Sequence, residues 1–179
     1  MDRSDAPRAE RRRLSHVDRR GRPRMVDVSA KPPTARRAVA EAEVVVSAET
    51  LSLVIDGGGE KGDVLTVAEI AGVMGGKRTS ELIPLCHPLP LSSVSVDFNF
   101  VTGGVRVLAR ARVKGQTGVE MEALTAAAVA GLTLIDMTKG IEKGVYLESV
   151  RLLEKSGGRS GTWKRATNPK RSPGARMAH

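Results

Sequence analysis

Asp136 and Lys139 stand three residues apart at the end of a long, largely apolar stretch, a spacing at which two side chains on one helix meet. A carboxylate and an ammonium so placed can do acid/base work. The lysine keeps the carboxylate ionised or carries a proton itself, and the aspartate orients or deprotonates a reacting group. The same spacing is also that of a surface salt bridge, and most such pairs do little. At the start of the stretch, Glu120 and Glu122 flank Met121. Acids are favoured in a first helical turn by the macrodipole alone. Glu122 can also join His87 in reading a heterocycle, since a carboxylate accepts well from a ring N–H and an amino group.

The adjacent pair Cys86-His87 has the residue types of a nucleophile with its base, or of two metal ligands. Neighbours in an extended segment point to opposite sides, which argues against a direct dyad. His87 is the only histidine outside the chain ends and Cys86 the only cysteine, so no zinc set can be assembled. Two readings remain: a packed core pair, or a His87 that donates a hydrogen bond to substrate. Gly57-x-Gly59-x-x-Gly62 has the spacing of a dinucleotide-binding turn, but the acid at the right distance, Glu81, follows Lys77-Arg78-Thr79-Ser80 and ends no hydrophobic strand. Asp63 stands where a Walker loop needs lysine. A glycine-rich turn accounts for these glycines. Lys61, set among them, can present an ammonium to phosphate with backbone N–H groups beside it.

The elements that must position these groups follow from periodicity and punctuation. Ala38, Ala40, Ala42, Val44 and Val46 alternate with a more polar set and predict a strand over about 36–47. Ser47 can cap a short helix to Ile55, and Asp63 a second one that Gly75-Gly76 stops near Met74. The segment from Ile83 to Pro90 holds three prolines and cannot be regular; it should be a stiff connector that carries Leu85, Cys86 and His87. A hairpin follows, with Val94, Val96, Phe98 and Phe100 alternating up to a Gly103-Gly104 turn and Val105 to Val113 returning. Its second strand turns Arg106, Arg110, Arg112 and Lys114 away from the core. A long helix over about 118–139 and a last strand over about 149–154 complete the order strand, helices, two strands, helix, strand. That is the split arrangement of a ferredoxin-like βαββαβ domain, an α+β fold with an antiparallel sheet packed on helices.

With 179 residues, the chain fits one domain with tails better than two domains. Forty per cent of it is hydrophobic, with only two Phe, one Tyr and one Trp, so the core must be mostly aliphatic. The net charge of +9 suggests nucleic acid until it is located. Residues 1–24 carry +5 and residues 159–179 carry +6, which leaves −2 for residues 25–158. The excess belongs to two tails rich in Arg, Pro, Gly and Ser, here expected to be disordered over 1–24 and 162–179 around a single domain at 25–161. A nucleic-acid partner is therefore not expected. The near-apolar run from Ala123 to Ile135 is shorter than the ~20 residues a membrane span needs. With no signal peptide and one cysteine, a cytoplasmic location is expected.

Several blocks occur in a fixed order: Met25-Val26-Asp27-Val28-Ser29, Lys61-Gly62-Asp63-Val64, Lys77-Arg78-Thr79, Leu82-Ile83-Pro84-Leu85-Cys86-His87-Pro88, Thr117 to Thr125, Asp136-Met137-x-Lys139, and Leu152 to Gly161. Together, over about residues 14–161, they resemble the cyclic pyranopterin monophosphate synthase family, the C proteins of molybdenum-cofactor biosynthesis. The resemblance implies a ferredoxin-like subunit in a homohexamer, a trimer of dimers, with active sites shared at dimer interfaces. It implies a nucleotide-derived substrate, the cyclised 7,8-dihydro-GTP made by a radical-SAM GTP cyclase partner. The reaction implied opens the former purine–ribose linkage, closes a pyran ring and forms a cyclic phosphate with release of pyrophosphate. Asp136 then matches the family's catalytic aspartate, Lys139 its accompanying lysine and Lys61 a further essential lysine. Leu85, Cys86, His87, Met121 and Glu122 match substrate-binding segments, and Glu120, Lys77, Arg36 and Lys155 fall on other site positions.

The residue types agree with that assignment. Lys61, Lys77, Arg78, Arg36 and Lys155 can offset a triphosphate and the charge of a departing pyrophosphate. No resident metal or cofactor is called for, although Mg2+ accompanying the triphosphate would need few protein ligands. One geometric expectation is independent of the resemblance. Met121-Glu122 and Asp136/Lys139 lie roughly 20 Å apart at 1.5 Å per residue, too far for one small substrate to bridge within a chain. Residues from two subunits would resolve this; Glu122 and Asp136 of one chain lining a common pocket would contradict it. The leading alternative is a ferredoxin-like RNA-binding module, which would stack bases on exposed sheet aromatics. Phe98 and Phe100 instead share the phase of Val94 and Val96.

Overall fold

The alternation at Ala38, Ala40, Ala42 and Val44 builds the central strand β1 (Thr34–Val45), and all four side chains are buried. A computed structural model describes residues 17, 20–57, 63–159 and 161–166. β1 pairs antiparallel with β3 (Gly104–Gly115) on one side and with β4 (Tyr146–Ser156) on the other. β2 (Ser93–Val101) lies outside β3, and the two-residue β5 (Trp163–Lys164) lies outside β4, so the order is β2-β3-β1-β4-β5. The first four strands have the neighbour relations of the ferredoxin-like unit. The β2–β3 hairpin turns where expected, with Gly103 at φ +79°, a conformation that costs glycine nothing.

Helices cover one face of the sheet. α1 (Ala48–Ile55) starts at Ser47, whose side chain accepts from the Thr50 N–H. α2 (Val64–Lys77) starts at Asp63, whose carboxylate accepts from the Leu65 and Thr66 N–H groups. Both caps satisfy amide donors that a helix start leaves open. A four-residue α3 (Thr79–Leu82) leads into the proline-rich connector, and α4 (Glu120–Thr138) follows the hairpin. Ala123, Ala126, Ala127, Ala130 and Leu134 of α4 close over the alanines and valines of β1 and β3. By length and composition alone α4 could cross a membrane, but its apolar side packs on the sheet.

The structure departs from the sequence-based expectation in three places. Gly75-Gly76 does not stop α2, which continues to Lys77. These glycines instead let α2 approach α4. A Cβ on Gly75 would lie 2.7 Å from Val129, and one on Gly76 would lie 3.2 Å from the Glu122 carbonyl. The short α3 was not expected. Nor was β5, which falls inside the segment expected to be a disordered tail. There the Arg165 amide donates to the Leu153 carbonyl (2.8 Å) and its guanidinium lies 5.7 Å from the Trp163 ring centre. The expectations for residues 1–16, 18, 19 and 167–179 lie outside the described residues, as does the glycine-rich segment 58–62.

The helix-free face of the sheet carries charge. Glu41, only 6% exposed, is paired with Arg151 and Arg106, and both arginines also reach Glu43. Arg110 pairs with Asp97. The basic stripe of β3 is thus partly neutralised within the sheet. Phe98 packs on the hydrophobic core, as its phase required, whereas Phe100, of the same phase but beside the hairpin turn, is 44% exposed.

Candidate functional site

The first turn of α4 is where the separate segments meet. Val119 caps it without a side-chain hydrogen bond. The Glu120 carboxylate folds back over Gly118, where any Cβ would collide with it. Lys155, from the end of β4, holds that carboxylate at 2.8 Å. Glu122, one turn edge further on, is buried at 4% exposure. Burial pushes its carboxyl above the usual carboxylate range; its own backbone N–H opposes this, and the neighbouring Glu120 charge adds to it.

Around this turn lies a cavity of about 340 Å³, within the range of small-molecule sites. One wall is the α4 start, with Glu120, Met121 and Glu122; a second is the connector, with Leu85, Cys86, His87 and Leu89; a third is the lead-in segment, with Val26, Val28 and Lys31. Cys86 and His87 were expected to point to opposite sides, but both line this cavity. The reason is a turn, closed by the Cys86 amide donating to the Ile83 carbonyl at 3.0 Å, which bends the segment out of extended geometry. Burial first, and the Glu122 charge second, push the Cys86 thiol up, so it is a poor nucleophile as it stands.

A second cavity, about 210 Å³, adjoins the first and shares Gly118 and Glu120 with it. Its walls include Arg36 and Lys155, together with Arg37, whose guanidinium pairs with Glu154, and with Ser156 and Gly157. Arg36 is fixed from behind: its Nε donates to the Gly115 carbonyl and its Nη2 to the Gln116 carbonyl, each at 3.0 Å. Gly157 and Gly158, at φ +98° and +71°, turn the chain tightly enough for Gly158 to lie against that guanidinium. The arrangement offers donors and positive charge beside a helix start, the requirements of an anion site.

Of the residues singled out in the sequence, the first cavity gathers Leu85, Cys86, His87, Glu120, Met121 and Glu122, and the second gathers Arg36, Glu120 and Lys155. Lys77, at the end of α2, lines neither. Lys61 lies outside the described residues. Asp136 and Lys139 do form the expected pair, at 2.6 Å, but at the far end of α4 and with both side chains about 60% exposed. Neither of the two cavities is lined by Asp136, which sits at the other end of α4 from Glu122. Sequence reasoning missed Val26, Val28, Lys31, Leu89 and Arg37 as wall residues; only the first two lay in a block it had marked. Among the described residues no three His, Cys, Asp or Glu side chains converge as a metal set.

The chain is an α+β fold with a cavity of small-molecule size at the start of α4 and an adjoining cavity with basic residues in its walls. Residues 25–158 match the model of the MoaC family, and the chain belongs to that family. A protein named cyclic pyranopterin monophosphate synthase from Thermomicrobium roseum is 54% identical over 154 residues, covering 85% of this chain and 93% of its own length. Proteins of the same name from Novosphingobium aromaticivorans and Cereibacter sphaeroides are 52% and 56% identical over 153 residues. They cover 86% and 84% of this chain and 98% and 96% of their own lengths.

Proposed function

We propose that this protein is a cyclic pyranopterin monophosphate synthase acting in molybdenum-cofactor biosynthesis, a lyase that converts cyclised 7,8-dihydro-GTP to cyclic pyranopterin monophosphate and pyrophosphate. The observation that carries the reading is the convergence of the connector and the α4 start on one cavity, in a chain 52–56% identical to relatives of that name. The heterocycle belongs in the larger cavity, where Glu122 and His87 offer acceptor and donor among apolar walls. The phosphates belong toward Arg36 and Lys155, whose charges also stabilise a departing pyrophosphate. Entry of an anion would compete with Glu120 for Lys155. Lys61 and Lys77 are proposed as further cations for the triphosphate. Mg2+ could accompany it, bound through phosphate oxygens.

The acid/base couple is Asp136 with Lys139. Their ion pair, at 2.6 Å, sets a carboxylate and an ammonium side by side, where both can serve one substrate. The couple lies 14 residues, about 21 Å, along α4 from Glu122. That separation supports a site completed by a second subunit, within a hexamer of three dimers working downstream of a radical-SAM GTP cyclase in the cytoplasm. The deciding experiment supplies purified protein with cyclised 7,8-dihydro-GTP and follows pyrophosphate release. Release together with a pterin product is expected; no turnover at micromolar enzyme refutes the proposal.

A further inference from the structure

One wall of the larger cavity comes from a segment to which no chemistry has been assigned. Val26, Val28 and Lys31 reach it from the lead-in before β1. The segment is a built turn. The Asp27 carboxylate accepts from the Ser29 amide (2.9 Å) and hydroxyl (2.7 Å), and the Lys31 amide donates to the Val28 carbonyl (2.9 Å). Gln116 Nε2 then donates to the Ser29 carbonyl (3.3 Å), tying the turn to the loop before α4. Lys31 is thus carried to the cavity by local hydrogen bonds.

The charges of the cavity say what it can take. Two carboxylates, Glu120 and Glu122, make it a poor home for a polyanion, and the walls are otherwise largely apolar. They suit a heterocycle that presents a ring N–H and an exocyclic amino group. Such an edge, in a guanine-derived ring, also carries a carbonyl oxygen that no carboxylate can serve. Beside the donor His87, the walls offer Lys31 for it, whose ammonium has three N–H groups and no acceptor. Among the described residues Lys31 is engaged in no ion pair, so its ammonium is free for a ligand.

We propose that Lys31 is a specificity-determining residue of this site, its ammonium donating to the ring carbonyl of a guanine-derived heterocycle whose N–H edge is taken by Glu122. The proposal rests on the synthase reading for the identity of the substrate. It adds the residue that selects a keto ring, since a site built to hydrogen-bond a group rejects an analogue that lacks it.

Two substitutions test it, Lys31→Met, which keeps length and removes charge, and Lys31→Arg, which keeps the donor. Lys31→Met should raise KM for cyclised dihydro-GTP about tenfold or more with kcat within about threefold, and Lys31→Arg should restore most of the loss. Calorimetric binding supplies a readout that needs no turnover. The unaltered protein should prefer GTP over 6-thioguanosine triphosphate, which keeps the ring N–H and the amino group but replaces the carbonyl oxygen by a weakly accepting sulfur, by about tenfold, and Lys31→Met should erase that preference. Unchanged KM, a fall in kcat at constant KM, equal or absent binding of the two nucleotides by the unaltered protein, or a preference surviving in Lys31→Met would each overturn the assignment. Absence of pyrophosphate release by the unaltered protein refutes the synthase reading instead, and the nucleotide comparison then decides Lys31 alone.

Discussion

Replacing Asp136 by Asn separates chemistry from stability more cleanly than any other change in this subunit. The carboxylate meets Lys139 at 2.6 Å, but the side chains are 58% and 60% exposed. Exposed pairs of this kind are worth about 0.2–1 kcal/mol once screening and side-chain entropy are counted. For a domain of this size, about 2–4 °C of Tm corresponds to 1 kcal/mol, so Asp136→Asn should lower Tm by no more than about 4 °C. An acid/base group lost from a transition state costs about 10²–10⁴ in rate, or about 3–5 kcal/mol of barrier. Turnover should therefore collapse while melting barely moves. Pyrophosphate release and differential scanning calorimetry on the same preparation measure both. Lys139→Ala should behave alike. The position of the pair at the opposite end of α4 from Glu122 adds a sharper test. If a site takes Asp136 from one subunit and Glu122 from its partner, inactive Asp136→Asn and inactive Glu122→Gln chains should complement when co-expressed. In a randomly mixed two-fold dimer, half the dimers are mixed and each holds one intact site, so roughly a quarter of full activity should return. Near-normal turnover in Asp136→Asn refutes the acid/base role. No recovery on mixing refutes the shared site.

Two further outcomes follow from buried groups. Glu122 is a carboxyl whose folded-state pKa is raised by burial, so the native state holds its proton more tightly than the unfolded chain. Stability from this group is therefore lost as pH rises from the unfolded carboxylate range through the raised folded value. Glu122→Gln should raise Tm at neutral pH, lose that gain below about pH 4, and weaken substrate binding; a Tm difference independent of pH would contradict the burial argument. Gly75→Ala places a Cβ 2.7 Å from a Val129 methyl. Overpacking of about 1–3 kcal/mol should outweigh the ~1 kcal/mol gained in helix propensity. Chemical denaturation should show a net loss, relieved by Val129→Ala, and an unchanged midpoint in Gly75→Ala would mean the helices can part at little cost.

Features set by neighbouring residues were legible in the sequence. Ser47 and Asp63 cap α1 and α2, the alternation along β1 reports its buried face, and Gly103-Gly104 turns the hairpin. Features that depend on a distant partner were not. A glycine pair reads as a helix stop by local rules, and only the approach of α4 shows why Gly75 and Gly76 sit inside α2 instead. β5 has two residues and no alternation to read; it exists because β4 offers an edge. The connector and α4-start segments that line the larger cavity stood out as residue blocks, but Lys31 and Arg37 belong to the cavities only through the folding back of the lead-in and of the start of β1. The turn at Ile83 that brings Cys86 and His87 to one side is likewise a hydrogen bond that residue types alone do not announce.

The grip on Arg36 has a consequence for affinity. Two main-chain carbonyls and the glycine turn behind it hold the guanidinium in one pose before any ligand arrives. Ordering a long side chain on binding costs about 0.5–1.5 kcal/mol, and for Arg36 that entropy is already lost on folding. Its remaining N–H groups are preorganised, so an anion reaching them gains the contact without that cost. Lys139, at the exposed end of α4, is held only by its contact with Asp136. On the proposed function, the cation that would hold phosphate is fixed by the main chain, whereas the cation proposed for chemistry rests on one exposed ion pair.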